Sequence, residues 1–248
     1  FIGGGTCNTI SDYNFNCSVI VGGCSNSIST YSQRNFIGGG SVNQIGRNSC
    51  RNFIGGGGCN TISCYVNIST IGGGFRNTIN CCTDYSTIAG GVQNTINSSC
   101  SFIGGGTVNT INCTYSTIGG GLGNTICETA SFIGGGISNL VCGNASSIVG
   151  GCSNVTRGDT SSIVSGFNNY AFGNYAFVGG GCCNRADTDY TFVGTGLCNS
   201  SQCKNSIVVG GACNCSISCY TFIGGGCQNI ASNPFSIIVG GQCNNAVG

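Results

Sequence analysis

Two adjacent segments decide the fold: SFIGGGTVNTINCTY at residues 101–115 and STIGGGLGNTICETA at residues 116–130. Each carries an isoleucine and a glycine run before an asparagine, and a second isoleucine two positions after that asparagine. The same unit recurs before and after this pair, along the whole chain, with the consensus S-[FT]-I-G-G-G-x-x-N-T-I-x-x-x-Y. We call its sixteen asparagines the anchors: Asn8, Asn26, Asn43, Asn60, Asn77, Asn94, Asn109, Asn124, Asn139, Asn154, Asn169, Asn184, Asn199, Asn214, Asn229 and Asn244. Self-similarity at so short a period indicates a repeat architecture.

The spacing of the anchors predicts the type of repeat. The first interval is 18 residues, the next four are 17, and the remaining ten are 15. Such units are too short for a helix pair, and abundant Gly with Val, Ile, Phe and Thr favours strands and turns. We therefore predict an all-β parallel β-solenoid of sixteen 15–18-residue coils. Residues 1–248 would form one array, with the longer coils ending near residue 94.

Alternation within a unit predicts which side chains face inward, because residues two apart in a strand share a face. The position six before each anchor is always Ile or Val, and the position eight before is mostly Ser or Thr. We expect these two columns, and the glycine four before the anchor, to point into the coil. The anchor and the residue two after it would form the facing inner row. The anchors either stack as a hydrogen-bonded ladder or serve as turn residues with left-handed φ, and the sequence leaves both open.

The position seven before the anchor forms a third column, which we call the aromatic column. Eleven of its sixteen members are large and apolar: Phe1, Val19, Phe36, Phe53, Phe102, Phe132, Phe177, Phe192, Ile207, Phe222 and Ile237. A strand that is apolar on both faces is typically buried on both faces. The column therefore either points outward against a second chain, most simply in a homotrimer, or belongs to a kinked strand that takes both columns inside.

Composition excludes several function classes. Charged residues make up 5% of the chain and the net charge is +1, which predicts no nucleic-acid partner. No apolar run approaches the roughly 18 residues of a membrane span. The chain has no His, and its carboxylates are scattered apart from Asp187 and Asp189. Because a catalytic triad needs His and glycoside cleavage needs paired carboxylates, we predict no enzyme activity, no catalytic residue and no cofactor.

The 22 cysteines predict disulfides rather than metal sites, because no C-x-x-C pair occurs. Cysteines one coil apart lie near the Cα separation that a disulfide needs, and we expect nearly all of them to be oxidised. The sequence leaves their partners, within the chain or between chains, open. The candidates are Cys64 with Cys81, Cys127 with Cys142, Cys183 with Cys198, Cys203 with Cys219, and Cys227 with Cys243.

Eight N-x-S/T sequons divide into two groups. Three are anchors: Asn154, Asn199 and Asn214. Five lie in loops and are the candidate glycosylation sites: Asn16, Asn67, Asn97, Asn112 and Asn144. We expect glycans on the loop group alone, since an anchor in an inner row would leave no room for a sugar.

The segment YAFVGGGCCNRADTDYTFVGTG at residues 175–196 resembles the head-domain repeats of trimeric autotransporter adhesins, and related repeats of viral and phage tail fibres. Those repeats follow S-x-A-x-G-x-x-N/S-x-A-x-G every 14 to 15 residues or so. The resemblance implies a left-handed parallel β-roll that is trimeric and acts as a stalk or adhesive surface. This chain departs from the pattern in its many cysteines and its longer early units. The cysteines favour a secreted or virion fibre.

These observations lead to one expected function and two alternatives. We expect a disulfide-stabilised structural component of an extracellular, cell-surface or virion fibre or filament, with an adhesive role and a cell-surface glycan as partner. Self-association would produce a homotrimer around the aromatic column. Because neither end of the 248 residues carries a capping segment, we also expect them to be either an excerpt of a longer protein or a protomer that stacks head to tail into a filament. One alternative is an ice-binding solenoid that presents a threonine column: Thr9, Thr61, Thr78, Thr95, Thr110 and Thr125. The other is a glycan-binding rod similar to a tail spike.

Overall fold

The computed structural model describes residues 1–11 and 17–247, and within them the regular secondary structure consists of 31 two-residue strands. Asp12 and the candidate glycosylation site Asn16 lie outside the described residues. The chain divides into two compact units, Phe1–Thr125 and Ile126–Gly248. None of the described residues belongs to a helix long and apolar enough to cross a membrane.

In the first unit, strands alternate between two parallel sheets. The anchor sheet, whose strands follow the anchors, contains β1 (Thr9–Ile10), β3 (Ser27–Ile28), β5 (Gln44–Ile45), β7 (Thr61–Ile62), β9 (Thr78–Ile79), β11 (Thr95–Ile96) and β13 (Thr110–Ile111). The aromatic sheet, which carries the aromatic column, contains β2 (Val19–Ile20), β4 (Phe36–Ile37), β6 (Phe53–Ile54), β8 (Thr70–Ile71), β10 (Thr87–Ile88), β12 (Phe102–Ile103) and β14 (Thr117–Ile118). The chain passes between the units in β15 (Thr125–Ile126).

In the second unit the strands alternate in the same way between the anchor sheet and the aromatic sheet. Its anchor sheet contains β17 (Leu140–Val141), β19 (Val155–Thr156), β21 (Tyr170–Ala171), β23 (Arg185–Ala186), β25 (Ser200–Ser201), β27 (Cys215–Ser216), β29 (Ile230–Ala231) and β31 (Asn245–Ala246). Its aromatic sheet contains β16 (Phe132–Ile133), β18 (Ser147–Ile148), β20 (Ser162–Ile163), β22 (Phe177–Val178), β24 (Phe192–Val193), β26 (Ile207–Val208), β28 (Phe222–Ile223) and β30 (Ile237–Ile238).

Each strand pairs in parallel with the equivalent strand one repeat later. Thr61 and Ile62 pair with Thr78 and Ile79 in the anchor sheet of the first unit. In the second unit, the aromatic sheet pairs Phe177 with Phe192 and Val178 with Val193. This register confirms the predicted all-β parallel β-solenoid, with one coil for each anchor.

The inner rows contain the residues that the alternation assigned to them. Ile54, Ile62 and Ile71 are fully buried, and Ser69, at the position eight before an anchor, is 1% exposed. In the second unit the residue two after the anchor becomes smaller, and at Ser201 it is a serine whose hydroxyl lies 2.5 Å from that of Ser206 across the interior. This hydrogen bond offsets the desolvation of the two serine hydroxyls.

The glycine run does not follow the predicted alternation. The glycine four before the anchor was expected to face inward, and this prediction is wrong: a Cβ on Gly73 would meet open space. The next glycine turns the chain instead. Gly74 has φ +91°, and a Cβ there would lie 2.1 Å from the carbonyl oxygen of Gly91 in the next coil. Only glycine permits both this φ and this approach of backbone to backbone.

The anchors form the predicted ladder. The backbone N–H of Asn77 donates to Oδ1 of Asn60 at 3.0 Å, and its Nδ2 donates to the carbonyl oxygens of Gly73 and Gly91 at 3.0 and 2.9 Å. The anchor therefore holds its own glycine turn against the turn of the next coil. The left-handed φ belongs to the residue before the anchor, such as Arg76 at 57°, so the turn-residue alternative is wrong for the anchors themselves.

Candidate functional site

The aromatic column faces outward in both units. Phe53 is 41% exposed, whereas its neighbour Ile54 is completely buried. The strand therefore keeps its alternation, and the kinked-strand alternative is wrong. Successive rings stack face to face where the column has consecutive phenylalanines: the Phe36 and Phe53 centroids lie 5.2 Å apart, as do those of Phe177 and Phe192. The outer face of each aromatic sheet thus presents apolar rings in register.

A second outward column lies on the anchor sheet of the first unit. Thr61, Thr78, Thr95 and Thr110 occupy directly paired positions of neighbouring strands. Each is half-buried, because the stacked neighbours cover its sides. In the second unit, Leu140, Val155, Tyr170, Arg185 and Ser200 occupy the same position. The regular threonine surface is thus a property of the first unit.

One of the candidate cysteine pairs forms a disulfide. Cys203 and Cys219 are joined with an S–S distance of 1.99 Å and Cα atoms 4.7 Å apart. Cys203 lies four residues after its anchor Asn199, whereas Cys219 lies five residues after Asn214. The bridge is therefore diagonal, and it joins positions one residue out of register between neighbouring coils.

Thiols also lie beside each other in the candidate pair Cys127 and Cys142, and in the sequence neighbours Cys182 and Cys183, which were not a candidate pair. Burial, and then the hydrogen bond with the Cys127 thiol, raises the pKa of Cys142 to about 11. At Cys183, hydrogen bonds from the Cys182 thiol and the Asn168 amide lower the pKa. The sulfurs of Cys182 and Cys183 lie 3.3 Å apart.

Cys183, Cys198 and Cys213 form a thiol column at the position before three consecutive anchors. Burial, and then the charge of Cys183, raises the pKa of Cys198. These interactions show that neighbouring members of the column are close enough to influence each other.

The remaining candidate pairs also lie in adjacent coils. Cys64 and Cys81 both follow their anchors by four residues. The backbone N–H of Cys243 donates to the carbonyl oxygen of Cys227 at 3.0 Å, while its thiol lies 3.3 Å from Oε1 of Gln228. Within the described part of the chain, no group of three or more His, Cys, Asp or Glu side chains is placed to hold a metal ion.

The sequons differ in exposure as the face assignment predicts. Asn97, Asn112 and Asn144 are exposed, and Asn67 is half-buried. The anchors Asn154, Asn199 and Asn214 are completely buried. An oligosaccharide therefore has room on the described loop asparagines and none on the anchors.

Several charged residues lie near one another at one corner of the second unit, although the chain has few charged residues. This polar corner lies three to five residues after consecutive anchors and carries Arg157, Asp159, Asp187, Asp189 and Lys204. Asp187 forms an ion pair with Arg185, whose NH2 atom lies 3.0 Å from Oδ1. Asp187 and Asp189, which the sequence showed as the one close carboxylate pair, thus lie in a larger cluster.

A second side-chain ladder runs through the polar corner. The backbone N–H groups of Asn144, Asp159 and Asn174 donate to Oδ1 of Asp159, Asn174 and Asp189, at 2.9, 2.8 and 3.0 Å. Sequence analysis missed this ladder. Its signal was the alternation of Asn and Asp at a 15-residue spacing, five positions after each anchor.

The chain matches no protein-family model, and no curated protein matches it.

Proposed function

We propose that this protein is a structural component of an extracellular, cell-surface or virion fibre, in which copies of the chain associate laterally through the aromatic column. The observation that carries the proposal is the outward column on the aromatic sheet, where eleven of sixteen positions are large and apolar and Thr or Ser stands at the other five. Phe53, Phe102 and Phe132 are each 41% exposed beside fully buried isoleucines. A homotrimer would bring three such columns together along a common axis.

The energetics favour covering this column. Burying apolar surface contributes about 25 cal/mol per Å², and a column that repeats with every coil adds this term along its length. Stacked aromatic rings are also rigid, so that ordering them in an interface costs little conformational entropy. The resemblance to trimeric adhesin and tail-fibre repeats is consistent with the same arrangement.

The cysteines support an oxidising location. One diagonal bridge joins neighbouring coils at Cys203 and Cys219, and further thiols adjoin one another at Cys127 and Cys142. Disulfides persist in secreted and surface proteins and are rare in reducing compartments. Cross-links between coils would resist local opening of the stack, which suits a component that bears load outside the cell or on a particle.

The test is the oligomeric state of the chain and of a matched pair of variants. The double variant Phe53→Thr/Phe102→Thr removes two exposed rings, and Thr already occupies this column at Thr70 and Thr87. The control Phe75→Thr makes the same change outside the aromatic column, at a residue that is 43% exposed. We expect trimers for the parent chain and the control in sedimentation equilibrium, and dissociation of the double variant.

Two results would contradict this proposal. One is a monomeric parent chain at micromolar concentration, and the other is equal behaviour of the double variant and the control. Circular dichroism of all three proteins establishes that the coils remain folded, so that a loss of association reports on the surface.

The threonine column of the first unit favours ice binding as a second candidate function. Its members pair directly from Thr61 to Thr110, and they form a regular polar row on a parallel sheet. Under this hypothesis, Thr78→Leu would abolish thermal hysteresis. Thr87→Leu, on the aromatic sheet, would leave it unchanged. An absence of thermal hysteresis in the parent chain would exclude this function.

A further inference from the structure

We propose that the part of the polar corner built by the coils of Asn169, Asn184 and Asn199, which does not include Asp159, is a saccharide-binding site. A surface pocket of about 400 Å³ opens there, and its lining includes Phe172, Asn174, Asp187, Thr188, Asp189 and Lys204. These residues come from three neighbouring coils that the 15-residue period brings together. The site is independent of the proposed fibre contact, because it lies on the loops after the anchor sheet and not on the aromatic column.

The carboxylates of the pocket are held in place and keep acceptor capacity. Oδ1 of Asp189 accepts the backbone N–H of Asn174 at 3.0 Å, and Oδ1 of Asp187 accepts from Nε of Arg185 at 3.1 Å. Among the described residues, no hydrogen bond engages the second oxygen of either carboxylate. Each carboxylate therefore offers the pocket an acceptor that is already held in place. Ligand binding would lose little conformational entropy in ordering these two side chains.

Hydrogen-bond donors lie on the same rim. Asn174 uses its Oδ1 to accept the backbone N–H of Asp159, so its amide N–H₂ remains as a donor. The Lys204 ammonium lies 5.4 Å from the centre of the Tyr190 ring and contributes further N–H groups. The hydroxyl oxygen of Thr188 is buried without a hydrogen-bond partner within the described part of the chain. A buried hydroxyl without a partner is costly, and a ligand hydroxyl would satisfy it.

An aromatic edge completes the pocket. The Phe172 ring packs edge-to-face against Tyr170 at 5.3 Å, and the Arg157 guanidinium lies 4.9 Å from its centre. These contacts fix the ring. Ligand pockets typically combine such an apolar surface with a few fixed polar groups that set orientation.

The chemistry of the rim selects a polyhydroxylated ligand. Hydroxyl groups both donate and accept, so neighbouring hydroxyls of a pyranose can donate to Asp187 and Asp189 while accepting from Lys204 and Asn174. The apolar C–H groups of a pyranose match the part of the Phe172 ring that the Arg157 and Arg185 guanidinium groups, 4.9 and 5.5 Å from its centre, leave exposed. An anionic ligand would meet two carboxylates, and a divalent cation would meet an ammonium and too few anionic oxygens. A saccharide is the ligand class that uses all of these groups.

The experiment measures binding of methyl α-mannopyranoside, methyl β-galactopyranoside and N-acetylglucosamine by saturation-transfer NMR. Asp189→Asn and Lys204→Gln remove a charge from the pocket. Asp159→Asn is the matched control, because it makes the same change in the same side-chain ladder two coils away. In Asp189→Asn and Asp159→Asn, the amide oxygen can still accept the ladder hydrogen bond, so the fold should persist.

We expect at least one of the three sugars to bind at concentrations up to about 10 mM, within the range of weak pyranose sites. Asp189→Asn and Lys204→Gln should weaken that binding about tenfold, as expected for loss of a hydrogen bond to a charged group. Asp159→Asn should leave it unchanged. The proposal is wrong if none of the sugars binds, if the pocket variants bind as the parent does, or if the control loses binding equally. None of these outcomes depends on whether the chain forms trimers.

Discussion

The side-chain oxygen of Asn77 accepts the backbone N–H of Asn94 at 3.0 Å, while its amide nitrogen donates to the carbonyl oxygen of Gly91 at 2.9 Å. One buried amide therefore supplies the partner of the Asn94 N–H and adds a second hydrogen bond to the Gly91 carbonyl, which also accepts the backbone N–H of Phe75. The same contacts recur along the row of anchors. They stabilise the turns, because a buried backbone group without a partner costs about 1–3 kcal/mol.

Substitution of an anchor should destabilise the coil stack. Asn77→Ala leaves the Gly73 carbonyl and the Asn94 N–H without their partner and removes one of the two hydrogen bonds to the Gly91 carbonyl. We therefore expect a loss of about 3 kcal/mol in the free energy of unfolding. Asn112→Ala is the control, because Asn112 is exposed and its loss affects one side-chain hydrogen bond. Urea denaturation measures both. Equal midpoints for the two variants would contradict the role of the anchors.

The two glycines before an anchor should respond oppositely to alanine. Gly74→Ala forces an L-residue to φ +91° and places its Cβ 2.1 Å from the Gly91 oxygen, so we expect a loss of at least about 2 kcal/mol. Gly73→Ala meets open space and should be neutral or stabilise by up to about 1 kcal/mol. Thermal or urea unfolding distinguishes them. Comparable destabilisation by both changes would show that the assigned directions are wrong.

Oxidation should follow contacts between adjacent coils. In protein produced in an oxidising compartment, we expect peptide mapping to find the Cys203–Cys219 bridge and a second bridge between Cys127 and Cys142. Loss of the first bridge through Cys203→Ala/Cys219→Ala should cost about 3 kcal/mol, from the entropy of a loop of this length. Cys59 is the internal control, since its column neighbours are Val42 and Arg76.

We further expect nearly all cysteines to be oxidised. Thiol titration of the unfolded, unreduced protein would contradict this expectation if it found more than a few free thiols.

In the reduced protein, thiols in different surroundings should react at different pH values. The thiolate is the form that reacts with iodoacetamide, so a lowered pKa allows reaction at lower pH and a raised pKa delays it. Hydrogen bonds from Cys182 and Asn168 lower the pKa of Cys183, whereas burial raises that of Cys142 to about 11. Mass spectrometry across a pH series should therefore find Cys183 modified at a lower pH than Cys142, which should react only in strong alkali. The reverse order would contradict these thiol environments.

Glycans should occupy loop sequons and spare the anchors. After expression through a secretory pathway, glycopeptide mass spectrometry should find sugars among Asn97, Asn112 and Asn144, which are exposed. No glycan should be attached to the anchors that are buried in the inner ladder, Asn154, Asn199 and Asn214. Occupancy of any anchor in folded protein would overturn the assignment of faces.

The sequence by itself determined the column structure of this protein. A fixed period brings equivalent positions one strand spacing apart, so the isoleucine rows and the serine rows follow from alternation. The outward direction of the Phe53 column was one of two alternatives, and the exposure of Phe53 decided it. The anchor ladder was also one of two alternatives, because identical side chains stacked at the strand spacing can form hydrogen bonds with one another.

Only the tertiary structure decided what happens at the bends. Alternation fails once the chain turns, so Gly73 faces open space, Gly74 packs against the next coil, and Arg76 takes the left-handed φ. Contacts between coils select these backbone angles, and the sequence of one coil does not specify them. The same holds for the diagonal Cys203–Cys219 bridge and for the polar corner, where Asp189 and Lys204 meet because successive loops stack. The repeat period determines which residues share a column, whereas the packing of one coil on the next determines the direction in which each corner residue points.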